Sequence, residues 1–73
     1  LRWDAAQRTF MRVLEPLLQR GIALEVRVGA HGTHGSVATV EISGVPEDSR
    51  AAVGSEIDAL LAPFVIRHVL HWR

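Results

Sequence analysis

The chain has 73 residues, 48% of them apolar and 22% charged, and its eight arginines balance eight acidic residues to a formal net charge of zero with histidine neutral. That length allows a single domain, 1–73, and the composition is that of an ordinary soluble globular chain; it excludes a strongly basic nucleic-acid binder, an acidic disordered tail and a low-complexity linker. No apolar run approaches the ~18 residues of a membrane span, so no direct membrane insertion is expected, and the absence of cysteine removes disulfides, a thiol nucleophile and cysteine-ligated metals.

Two further features bound the reading. The chain opens at Leu1 rather than Met, so a piece of a longer protein is expected, and with no signal-peptide pattern before the first helix the expected location is cytoplasmic. Every basic residue is Arg, but positions 2, 8, 12, 20, 27, 50, 67 and 73 are spread along the chain and form no basic patch.

The first segment is helical. Trp3, Ala6, Phe10, Val13, Leu14, Leu17 and Leu18 recur at spacings of three and four, which draws one apolar stripe. Asp4 followed by Gln7 reads as a capping box with Asp4 as N-cap, and Gly21 is the natural residue just past the C-terminus. Pro16 lacks an N–H and crowds the carbonyl of Arg12, at a cost on the order of 3 kcal/mol in a straight helix, so a kink or a break is expected there.

From Ile22 the period changes to two. Ile22, Leu24, Val26 and Val28 alternate with Ala23, Glu25, Arg27 and Gly29, the pattern of a half-buried strand. Ala30 to Ser36 is a glycine-rich connection of hairpin length. Val37 to Ser43 reads as a second strand, with Ala38, Val40 and Ile42 facing one way and Thr39 and Glu41 the other. Pro46 suits the first position of a second helix, with Glu47 and Asp48 at its positive end, and Val53, Ile57, Leu60 and Leu61 as its buried stripe. Pro63 stops it, and Phe64 to Arg73 alternates as a third strand.

The expected fold is therefore α+β, a two-layer sandwich of order α-β-β-α-β, with a three-stranded mixed sheet and two helices on one face. A right-handed crossover makes strands two and three parallel; strand one is expected between them, antiparallel to both, leaving strands two and three as edges. Leu24, Val26, Val40, Ile42, Ile66, Leu70 and Trp72 are expected to face the helices. Glu25, Arg27, Thr39, Glu41, Arg67 and His71, with Val65 and Val69 among them, form the other face.

The residues that can carry chemistry are few. His31-Gly-Thr-His34 places two imidazoles in a glycine-rich loop, where both rings can converge on one ion, but zinc takes three or four ligands and Thr33 and Ser36 complete it poorly. His68 and His71 are three apart on a strand and point to opposite faces, so they cannot chelate together, and His71 falls far from the hairpin loop. Gly29, Gly32 and Gly35 lack the Gly-Lys-Ser/Thr and helix of a phosphate loop. Ser36 near His34 has no third group to orient the imidazole, and Glu56 and Asp58 read as solvent-facing charges. Trp3 and Trp72 read as core or domain-edge residues.

Two families share the element order. Val13-Leu14-Glu15-Pro16-Leu17-Leu18 before Gly21, with Ile42-Ser43-Gly44, resembles the C-terminal domain of NifU-type iron–sulfur scaffolds; that family's Cys-x-x-Cys is replaced here by Val45-Pro46-Glu47-Asp48, so the resemblance implies protein contacts without cluster chemistry. Leu24-Glu25-Val26-Arg27 resembles the first-strand Leu-Arg-x-Arg of the cytoplasmic C-terminal domain of cation diffusion facilitator transporters, which dimerises. That resemblance places His71 where the family's last strand carries a metal-binding histidine, while Ala52 and Val53 stand where its helix histidine is expected.

These readings converge on a non-enzymatic protein-interaction or assembly domain that self-associates or docks within a larger protein, with a protein partner or a homo-oligomer and no cofactor. A domain this small rarely gains more than ~3–5 kcal/mol from its own core, which favours support from a partner. The alternative is a transition-metal-binding domain, sensing or carrying zinc or another divalent ion through His31 and His34, with His71 as a remote third candidate. A subdomain bordering the active site of a larger enzyme is the remaining expectation.

Overall fold

In the computed structural model, which describes residues 2–30 and 35–73, the chain folds in the order α-β-β-α-β. Helix α1 spans Arg2–Val13, a second short helix α2 spans Glu15–Gln19, and strands β1 (Ala23–Ala30) and β2 (Ser36–Ser43) follow. A 3₁₀ turn at Glu47–Ser49 leads into helix α3 (Arg50–Leu61), and strand β3 (Arg67–Trp72) completes the sheet. The expected α+β class, element order and mixed three-stranded sheet are all present.

The first helical segment breaks, and the break falls at Leu14, two residues before the proline. Pro16 thereby occupies the first turn of α2, where its missing N–H has no helical partner to lose. Leu14 still donates to the Phe10 carbonyl at 3.0 Å, so the two pieces stay in line enough to bury Leu14 and Leu17 completely. The segment then ends as expected at Gly21, whose φ of 86° suits glycine. Ile22 N–H reaches the Leu17 carbonyl at 3.2 Å and Gly21 N–H the Leu18 carbonyl at 3.0 Å, the paired bonds of a Schellman cap.

Asp4 is not the N-cap. Helix α1 begins earlier, at Arg2, and Asp4 lies in its first turn, where the positive end of the helix still favours a carboxylate.

The strand order also differs from expectation. The sheet runs β1-β2-β3, so β2 is central and β1 and β3 are the edges. β1 pairs antiparallel to β2 from Ala23↔Ser43 to Ala30↔Ser36, and β2 pairs parallel to β3 from Val37↔Arg67 to Ile42↔Trp72. The parallel pairing follows the crossover argument, but the crossover through α3 delivers β3 directly beside β2 instead of stepping over β1. Burial agrees: Ala38, Val40 and Ile42 of β2 are wholly buried, whereas β1 alternates buried with exposed residues.

The helices cover one face of the sheet. Between the layers lie Phe10, Leu14, Leu17, Leu24, Val26, Val40, Ile42, Ile57 and Leu61, with Ile66, Leu70 and Trp72 half-buried beside them. β3 starts three residues later than expected, and Phe64 turns inward to meet Phe10 edge-on at 4.9 Å between ring centroids. Gly54 of α3 sits beneath β3, with the Leu70 and Trp72 side chains 3.4 Å from where a Cβ would stand.

Candidate functional site

The uncovered face of the sheet carries the chain's densest polar chemistry. The strand registers arrange it in three rows: Glu25, Glu41 and His71; then Arg27, Thr39 and Val69; then Gly29, Val37 and Arg67. The face expected from alternation is thus the face observed.

Glu41 stands at its centre and is only 4% exposed, although it faces away from the core. Long side chains fold over it. Arg27 of β1 donates to one carboxylate oxygen, and Arg73, just past β3, donates to the other. His71 Nδ1 lies 3.8 Å from the second oxygen. Arg73 is itself placed by its backbone N–H, which bonds the Ile42 carbonyl at 2.8 Å.

Burial pushes the Glu41 carboxyl up, but the Arg73 hydrogen bond and the charges of Arg27 and Arg73 overcome it and hold the group below the usual carboxylate range. A carboxylate held ionised with both oxygens occupied is a poor proton acceptor and a poor metal ligand. Its chemistry is to tie both edge strands to the central one. Sequence reading placed Glu41 on this face and missed its burial, because the covering groups come from positions 27 and 73.

An apolar residue adjoins this cluster: Val69, in the next row, is 51% exposed, and a groove of about 460 Å³ runs among Gly29, Val37, Thr39 and Val69. Val65, ahead of β3, is 99% exposed. A second groove, of about 610 Å³, lies between α1 and the outer edge of β1, bordered by Gln7, Arg8, Met11, Leu24 and Val26. At its end the Gln7 side-chain oxygen accepts from Val28 N–H at 2.9 Å, capping a backbone donor of the edge strand.

The other named residues fall elsewhere. His31 and His34 lie outside the described residues. His68 and His71 point to opposite faces, as expected: His68 meets Asp58 of α3 at 2.7 Å, and His71 sits beside Glu41. Glu56 and Asp58 face solvent as expected and are also engaged there: Arg20 reaches both Glu56 oxygens at 2.8 and 2.6 Å, and Asp58 meets His68. Trp72 packs under the Arg50 guanidinium, 5.8 Å from the ring centroid. Among the described residues no three His, Asp or Glu side chains gather as a metal site, and no helix is long and apolar enough to cross a membrane.

No family model, curated protein or solved structure matches this chain.

Proposed function

We propose that this domain is a non-enzymatic protein-interaction or assembly module, which self-associates or docks within a larger protein. The observation that carries the reading is a three-stranded sheet with one face uncovered and both edge strands lacking proline and lysine, the residues that commonly block strand addition. Exposed Val69, one row from a charge-paired Glu41 cluster, supplies the mixture of apolar and polar groups that protein interfaces use. The polar residues engage one another in structural pairs: Glu41 with two arginines, Arg20 with Glu56, and His68 with Asp58.

Sedimentation of the 73-residue chain from micromolar to millimolar concentration, with thermal melting over the same range, tests the reading. Association linked to folding raises the thermal midpoint with concentration. A chain that stays monomeric at millimolar concentration, and is stable there with an unchanging midpoint, overturns self-association and the need for a partner to support the fold.

A further inference from the structure

The outer edge of β1 has a self-complementary charge pattern. Val28 N–H points away from β2, because it bonds Gln7. In an antiparallel strand alternate residues present N–H and C=O to the same side, so Leu24 and Val26 share that outward edge. Glu25 and Arg27 flank Val26, and both project from the uncovered face of the sheet.

We infer that the occupant of this edge is the β1 strand of a second copy of the chain, paired antiparallel about a two-fold axis at Val26. The inference rests on the interaction reading and specifies its partner. In this register Val26 faces its own counterpart in a hydrogen-bonded pair, and Leu24 faces the partner's Val28. Glu25 falls directly opposite the partner's Arg27, and Arg27 opposite the partner's Glu25. These are non-hydrogen-bonded pairs, the kind in which cross-strand side chains approach most closely.

The alternatives lack this complementarity. A two-fold at Glu25 or Arg27 sets like charges face to face. One at Leu24 puts Glu25 opposite the partner's Ala23, and one at Val28 puts Arg27 opposite the partner's Gly29.

Arg27 can serve both neighbours. Its contact with Glu41 uses one terminal nitrogen of a five-donor guanidinium, and its side chain is 63% exposed. Glu25 gains more. Within one copy its cross-strand neighbour is the like-charged Glu41, and the partner's Arg27 supplies the opposite charge. The cost falls on Gln7, which must release Val28 N–H so that it can donate to the partner's Leu24 carbonyl. Gln7 is therefore a competitor of the dimer.

Two variants of the 73-residue chain, compared with the parent by sedimentation equilibrium, read these opposed effects. Glu25→Arg replaces two attractive pairs with two repulsions, so the dimer dissociation constant should rise about tenfold or more. Gln7→Ala removes the competing cap and should tighten the dimer on the order of 2- to 10-fold. A dimer that neither variant moves overturns the β1 pairing while the interaction reading stands. Weakening by Glu25→Arg without tightening by Gln7→Ala also overturns it, since charge contact would then occur without edge pairing. A chain monomeric at millimolar concentration, with a concentration-independent midpoint, removes the β1 dimer and self-association together.

Discussion

A carboxylate with 4% of its surface exposed needs its charge answered locally, and Glu41 has a guanidinium at each oxygen. The folded state lowers its pKa, so across the acid range the folded chain binds fewer protons than the unfolded one. The stability Glu41 contributes is complete above its ordinary value of 4.5 and is lost as pH falls through the lower folded value. Glu41→Gln should accordingly flatten the acid limb of stability against pH and leave Arg27 and Arg73 without a counter-charge, lowering stability at neutral pH. Urea midpoints of parent and variant across the acid range check this; parallel acid limbs would refute it. The burial of Glu41 was invisible in the sequence, although Glu–Arg pairing across strands on this face follows from the alternation. Thr39 and Glu41 alternate with Ala38, Val40 and Ile42 as residues of a wet face do, and nothing local announces that Arg27 and Arg73 close over Glu41.

Individual elements show where local chemistry suffices and where it does not. Gly21 was legible as a helix stop because the stripe ends and a glycine follows, and its φ of 86° bears this out. Gly21→Ala should cost about 1–2 kcal/mol, the strain of a left-handed residue carrying a Cβ, with Gly21→Asn milder. Gly54 behaves oppositely. It lies inside α3 with ordinary backbone geometry, and a methyl group there meets Leu70 and Trp72 at 3.4 Å, an ordinary van der Waals contact. Gly54→Ala should therefore stabilise by roughly 0.5–1 kcal/mol through helix propensity, whereas Gly54→Leu should lose about 1–3 kcal/mol by overpacking against β3. Thermal midpoints of the three glycine variants at one concentration test both signs. Strand order was the element-level property that the sequence did not reveal. A period of two assigns faces and says nothing about neighbours, so a β1 flanked on both sides and a β1 at the edge have the same pattern. The distinction resides in β2, whose Ala38, Val40 and Ile42 are wholly buried while Glu41 is covered from both flanks.

At the scale of the molecule, one apolar layer lies between the helices and the sheet, and the sheet's other face adds the Glu41 ion pairs to it. Leu14, Leu17, Val40, Ile42, Ile57 and Leu61 are the largest fully buried side chains. Ile57 spans the gap between α3 and the sheet, so Ile57→Val should cost about 0.5–1.5 kcal/mol and Ile57→Ala about 2–5 kcal/mol. A core of this size supplies only ~3–5 kcal/mol, which leaves the alanine variant largely unfolded at micromolar concentration. The self-association proposed above would add stability by mass action, so the same variant should regain structure as concentration rises. The segment just before β3 gives the complementary case. Val65, 99% exposed, makes little contact with the core, so Val65→Asp should leave the denaturation midpoint of the dilute chain within about ±0.5 kcal/mol. Far-UV circular dichroism of the Ile57 variants against concentration, beside the dilute Val65 variant, separates the two layers. Recovery of Ile57→Ala at high concentration ties folding to assembly; an Ile57→Ala chain that stays unfolded at every concentration, or a Val65→Asp chain that unfolds when dilute, contradicts this division between core and exposed surface.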